Sequence, residues 1–304
     1  HIMSTKIKVL HGKVHRARIG GLGDWQVPGH ALDYRVFPHA RILYIMYRAT
    51  GISRKKRFSH MGVGSLRENA YIRGKHDCAM PRKEYQEINT CAELTERVQE
   101  LGILPFLRLL GDGWSAEEMG SEEVQYTTLP DGGWEWPMWK WKGEVIRESG
   151  CAYGKFIDGK ACFISKEWWP DLCNYRRHRF PLPEEGSLDD MILQTLRENG
   201  SLTTRELRAA CDFVGKNMRG KFDTYVRRLE MACRVVIEDF VYPVDRHGRE
   251  YGWGWALLTT PEERFGKEAC APARTPEESR ERLTRHLRDI LPRCDEQLLD
   301  FILK

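Results

Sequence analysis

The run Trp134-Glu135-Trp136-Pro137-Met138-Trp139-Lys140-Trp141-Lys142 places four tryptophans and two lysines in nine positions. Flat indole faces stack on nucleobases, each contact being worth about 1–3 kcal/mol, and ammonium groups hold phosphates. With the nearby Tyr153 and Lys155, the candidate base-stacking and phosphate contacts are Trp136, Trp139, Lys140, Lys142, Tyr153 and Lys155. Glu118, Glu135 and Glu144 are the nearest acids that can polarise a water. A second reading makes Trp134 to Trp141 core aromatics that join two subdomains. No single Glu is assigned a catalytic part.

Other chemistries leave no trace. The nine cysteines are scattered and odd in number, and none forms a C-x-x-C pair, so neither a zinc cluster nor a thioredoxin-type redox motif is expected. They fit small buried hydrophobes in a reducing cytoplasm, the expected location. Gly20-Gly21-Leu22-Gly23 is too short for a phosphate loop, and no Ser-His-Asp spacing stands out. No metal and no cofactor is expected. No apolar run approaches the roughly 18–20 residues of a membrane helix, so no membrane partner is expected.

The elements that must position these residues come next. A chain of 304 residues predicts roughly two domains. Residues 1–79 hold 15 Lys+Arg against 4 Asp+Glu, whereas the rest hold 33 against 40. The excess positive charge therefore sits in one basic N-terminal extension, which includes Arg54-Lys55-Lys56-Arg57. Ala40 to Tyr47 is a short apolar run within it, and no sustained periodicity is found there.

From Thr90 the pattern is regular. Leu94, Val98 and Leu101 share a helical face closed by Gly102, and Ser115 caps a short helix. Pro137 to Ser149 predicts a helix with proline in its first turn. Tyr153 to Ile157 and Lys160 to Ser165 flank Asp158-Gly159, a type I′ hairpin pair. Lys166 to Tyr175 predicts a helix, after which Arg176-Arg177-His178-Arg179 leads into the linker Pro181-Leu182-Pro183. The divisions expected are an extension over 1–79, a Trp-rich α+β domain over 80–180, a winged helix-turn-helix over 181–266 and C-terminal helices over 267–304.

Ser187 to Gly200, then Thr203 to Phe213, then Lys216 to Arg234 predict three helices, the second opened by a Thr203/Glu206 capping box. The third buries Phe222, Tyr225, Val226, Leu229 and Cys233. Val235 to Tyr242 and Tyr251 to Leu258 then form a hairpin around a polar turn. Three helices and a hairpin is the winged-helix order, which docks its third helix in the major groove. The expected DNA contacts are Lys216, Arg219, Lys221, Thr224, Arg227 and Arg228 on that helix, and Arg246 and Arg249 on the wing. Asp223 and Glu230 lower the positive charge of the same helix, which keeps a protein-contact module open as the rival. Thr275-Pro276 opens a further helix, and Leu298 to Ile302 makes a last apolar turn.

The stretch from about Ala92 to Phe265 resembles the AlkZ-related proteins, relatives of the AlkZ/YcaQ winged-helix DNA glycosylases. The resemblance rests on Trp136 to Lys142, Ala152 to Phe156, Gly159 to Ser165, Asp245 to Gly248 and Tyr251 to Trp253. It implies tandem winged-helix subdomains and, in the true glycosylases, metal-free excision of alkylated or crosslinked bases. Those enzymes carry a Gln-x-Gln or Gln-x-Asp motif that positions water. No glutamine here is followed two residues later by Gln or Asp, Gln26 and Gln125 being the nearest misses. The expected fold is thus α+β, mainly helical, with winged-helix subdomains, short hairpins and a C-terminal helical extension. The expected partner is DNA, duplex or damaged. An active glycosylase, a transcription regulator and a protein-interaction module are the alternatives.

Overall fold

The computed structural model describes residues 6–8, 14–18, 24–28 and 85–304 except 110–112, 131, 214 and 216–217. Two units divide the chain, His1–Met61 and Gly62–Lys304. In the first, β1 (Lys6–Lys8), β2 (Val14–Arg18) and β3 (Asp24–Pro28) form an antiparallel sheet in that order, with Lys6 opposite Arg18 and Val14 opposite Pro28. Strands of three to five residues give an alternation too short to register as a period, so the sequence did not announce them. The Ala40–Tyr47 run and the Arg54–Arg57 cluster lie outside the described residues.

The second unit opens with α1 (Cys91–Leu101), whose Thr90/Glu93 capping box satisfies its first amides. Gly102, at φ 69°, ends it. β4 (Ile103–Pro105) follows, then α2 (Ala116–Met119), α3 (Glu122–Gln125) and the two-residue pair β5 (Thr127–Thr128) and β6 (Trp134–Glu135). α4 (Pro137–Ser149) matches its expected limits. β7 (Ala152–Ile157) and β8 (Lys160–Ile164) make the expected hairpin, with Asp158 and Gly159 at φ 49° and 67°. The sheet order is β4-β8-β7, so the apolar run after Gly102 enters the core as an edge strand.

α5 (Trp169–Arg179) begins later and runs further than the spacing predicts. Arg176 to Arg179 form its last turn rather than a lead into the linker. Cations suit the negative end of a helix dipole, and Arg176 is fully buried. Its guanidinium donates to the carbonyls of Met231, Phe156 and Ile302 at 3.1, 3.0 and 2.9 Å.

Next come α6 (Leu188–Asn199), capped by Ser187, and β9 (Leu202–Thr203). α7 (Thr204–Ala210) carries the Thr203/Glu206 capping box. α8 (Arg219–Met231), β10 (Val236–Val241) and β11 (Trp255–Thr259) complete the segment. The sheet order is β10-β11-β9, all antiparallel. α8 is shorter than its stripe suggests. Cys233 lies beyond it, buried in a turn at φ 54° that redirects the chain into β10. α9 (Pro261–Phe265) and a short 3-10 turn lead to α10 (Pro276–Ile290) and α11 (Glu296–Leu303). The last apolar turn packs inward: Leu298, Leu299, Ile302 and Leu303 are buried. One continuous cluster of buried apolar side chains spans Ile88 to Leu303. The fold is α+β, helix-rich with small antiparallel sheets. Among the described residues no helix is long and apolar enough to cross a membrane, and every described cysteine is a free thiol.

Candidate nucleic-acid interface

α8 separates its faces by the period of the helix. Phe222, Val226 and Leu229 are buried, while Lys221, Arg227 and Arg228 are exposed. Thr224 is half-buried and its hydroxyl donates to the Gly220 carbonyl at 2.9 Å. Lys216 lies outside the described residues, as does the side chain of Arg219. Arg228 sits 3.6 Å from Asp189 and 5.2 Å above the Tyr225 ring. Arg227 lies along the β7–β8 turn, where a Cβ on Gly159 would come within 2.6 Å of its Cδ. Exposed pairs of this kind hold their cations weakly, by about 0–1 kcal/mol.

The two acids of α8 are not equivalent. Asp223 is exposed and 3.9 Å from Arg208. Glu230 is fully buried against β7, where the Lys155 amide donates to it at 3.3 Å and the Lys155 ammonium lies at 3.5 Å. Burial pushes its carboxyl up, and Lys155 opposes that rise. The outward face of α8 is therefore more positive than its composition suggests, because one of its two acids points inward.

Two exposed arginines, Arg246 and Arg249, lie on the β10–β11 hairpin together with the acids Asp245 and Glu250. Asp245 accepts from the backbone amides of His247 and Arg249 at 2.7 and 3.0 Å. The Arg249 amide, then the His247 amide, hold its carboxyl below the usual range. Gly248 takes φ 79° and its amide donates to the Asp245 carbonyl at 3.0 Å. That turn leaves Arg246, His247 and Arg249 on its exposed side.

The Trp-rich segment packs against this hairpin. Trp139 Nε1 donates to the Trp253 carbonyl at 3.1 Å, and the two rings meet edge-on at 4.9 Å. Trp136 lies 5.2 Å from Trp139 and 6.1 Å from Phe106, with its own N–H buried and unpartnered. Trp136 and Trp139 are half-buried. Of the residues expected at phosphates or bases, Lys140 is exposed and 2.5 Å from Glu135, and Lys155 is 40% exposed on Glu230. Tyr153 and Lys142 are interior. Tyr153 is 2% exposed among Phe106, Phe163 and Phe240. Lys142 is 1% exposed, with its amine 3.1, 4.2 and 5.4 Å from the ring centres of Trp139, Phe240 and Phe106. These two sites correct the expectation. Met138, Lys142, Val145, Ile146 and Ser149 share the buried face of α4, so helical face prevails over residue type.

Burial pushes the Lys142 ammonium well below its ordinary range. The folded chain then binds fewer protons than the unfolded one between the folded and unfolded pKa values, and stability rises with pH across that window. Lys142→Met, similar in length and apolar, is expected to raise unfolding free energy near neutral pH, because the methionine removes the cost of keeping an amine in the interior. The gain should shrink toward pH 10. Urea titrations at several pH values check it, and a variant less stable than wild type at pH 7 would contradict it.

The three acids near the Trp segment have other partners. Glu118 accepts from Ser115 Oγ at 2.7 Å and Arg108 Nε at 2.9 Å. Glu135 pairs with Lys140. Glu144 lies with Glu148 and Cys91, whose ligand atoms fall within 4.8 Å of one another; burial and then the two carboxylates push that thiol up to about 12. Gln125 donates to the Glu117 carbonyl at 2.7 Å. Sequence reasoning missed Trp253 as the partner of Trp139, because the two are 114 residues apart and no local spacing links them.

These features describe an α+β protein with a helix whose outer face is basic, a hairpin turn with two exposed arginines and an aromatic seam packed against that hairpin. The chain belongs to the AlkZ-related family, whose model, described as "AlkZ related", matches residues 88–304. Among solved structures it is similar to the Streptomyces sahachiroi DNA glycosylase AlkZ, at 11% identity and a TM-score of 0.35, with 77% of this chain and 63% of that chain covered. The chain thus spans less than two thirds of that protein's length. No curated protein matches the sequence.

Proposed function

We propose that this chain is a DNA-binding protein related to DNA repair, and that residues 181–266 act as a winged helix on duplex DNA. In this reading α6, α7 and α8 are the three helices, α8 enters the major groove, and the β10–β11 hairpin is the wing. The observation that carries it is the sorting of charge on α8: Lys221, Arg227 and Arg228 face solvent while Glu230 is buried. Arg246 and Arg249 on the wing turn supply further phosphate contacts, and Lys140 and Lys155 of the Trp-rich domain over 80–180 add further cations. Helices over 267–304 brace the body, and the basic extension over 1–79 adds nonspecific attraction. Family membership supports DNA as the partner. The proposal is binding rather than excision, since no glutamine is followed two residues later by Gln or Asp and Glu118 is held by Ser115 and Arg108.

Arginine-selective footprinting with a dicarbonyl reagent, read by mass spectrometry, tests this. Saturating duplex is expected to protect Arg227, Arg228, Arg246 and Arg249 and to leave Arg280 and Arg288 on α10 reactive. Protection confined to α10, or absent, would remove the proposal.

A further inference from the structure

Three cysteines distant in sequence meet beside α5. Cys173 lies within that helix, Cys233 in the turn after α8, and Cys270 closes the 3-10 turn Glu268–Cys270. All three are free thiols. Cys173 and Cys233 are wholly buried, whereas Cys270 is 6% exposed. Cys173 Sγ lies 3.8 Å from the Cys270 carbonyl and 4.0 Å from the Cys233 carbonyl, and its S–H also donates to the Cys270 sulfur.

α5 builds the surroundings of that sulfur. Trp169, Cys173 and Arg177 recur at every fourth residue and so share one face of the helix. Arg177 donates to the Cys233 carbonyl through Nε at 3.1 Å and Nη2 at 2.9 Å, and it pairs with Glu262. The S–H of Cys173 first, then the Arg177 charge and the Trp169 indole, hold the Cys270 thiol below its ordinary range against burial and Glu262. The half-buried Cys91 is the opposite case, since burial and then the carboxylates of Glu144 and Glu148 push it up to about 12. Exposure alone would therefore select the wrong cysteine.

We propose that Cys270 and Cys173 are a peroxide-sensitive dithiol, in which Cys270 is the thiol attacked and Cys173 the thiol that resolves it. Cys270 reacts first because it is the member of the pair that reaches the surface and the one with more thiolate character. Its thiolate forms an S–O bond with hydrogen peroxide as the O–O bond breaks, and the other oxygen takes up a proton and leaves as water. The Cys173 sulfur then attacks the sulfenic sulfur, and its proton goes to the departing oxygen, which leaves as a second water. Two thiols and one peroxide thus give one disulfide and two waters, with the sulfurs losing the two electrons that the peroxide gains. The inference does not depend on the DNA-binding reading.

Peptide mapping of the full chain tests it. The reduced protein is treated with hydrogen peroxide at neutral pH, its remaining thiols are blocked with N-ethylmaleimide in denaturant, and the digest is read by mass spectrometry with and without dithiothreitol. The expected product is a Cys173–Cys270 linked peptide that dithiothreitol separates, formed on the order of tenfold or more faster than Cys91 is oxidised. Cys173→Ser, which keeps a donor but cannot close the disulfide, should stop at a sulfenic acid that dimedone labels at Cys270. Cys270→Ser should leave Cys173 reduced. The wild-type map decides the matter even if circular dichroism shows either variant to be unfolded. Cys173 and Cys270 both still reduced at a dose that oxidises free cysteine, or a disulfide that joins Cys173 to Cys233 instead, would overturn the proposal.

Discussion

Arg176→Ala is expected to cost about 2–5 kcal/mol of unfolding free energy, read as a lower urea midpoint with an unchanged slope. The guanidinium is fully buried and donates to three backbone carbonyls, on the last residue of α8, on β7 and on α11. An acceptor left buried without a donor costs about 1–3 kcal/mol, and the alanine also leaves a void. Arg176→Lys should be intermediate, because one ammonium cannot span the same three acceptors in the geometry of a planar fork. A cost below about 1 kcal/mol for the alanine would mean that water or repacking satisfies those carbonyls. Burial lowers the guanidinium pKa, yet arginine stays protonated over any usable range. The penalty should therefore be flat between pH 6 and 9, unlike the pH-dependent gain expected of Lys142→Met.

Removing Lys221, Arg227 and Arg228 together as alanines is expected to weaken duplex binding by on the order of 10²-fold at about 0.1 M salt. Each cation placed on a phosphate releases a condensed counterion, and the entropy of that release is the main source of sequence-independent affinity. All three side chains are exposed, and the ion pair of Arg228 with Asp189 lies at the surface. The triple variant should therefore lose less than about 1 kcal/mol of stability. Circular dichroism melts separate that from unfolding. Arg227 alone should show the smallest effect, since its stem is laid along Gly159 and is less free to reach outward.

Much of this architecture was legible because ends of elements carry chemistry. Ser115, Ser187 and Thr275 announce their helices through caps, Pro137 opens α4, and Asp158-Gly159 fixes the β7–β8 turn. What was not legible is mostly long-range. β9 has two residues and exists only because β11 pairs with it. Trp253 is recruited by Trp139 across the chain. Arg176 reads as part of a basic linker until its three carbonyls, distant in sequence, are brought around it. Lys142 and Tyr153 were read by residue type. Met138, Val145 and Ile146 on the same helix already mark the face of Lys142 as interior, so in that case the signal was present in the spacing. Glu230 follows the same logic: it lies one residue beyond Leu229 and four beyond Val226, on the edge of the buried stripe.

The assignment of α8 as the DNA-contacting helix is decided by salt. The logarithm of duplex affinity should be measured against the logarithm of salt concentration for wild type and for the Lys221/Arg227/Arg228 alanine variant. The expected result is a steep negative slope for wild type and one shallower by roughly 2–3 for the variant, about 0.9 for each phosphate that the variant no longer neutralises. Parallel lines, or no salt-dependent binding by wild type, would contradict the assignment.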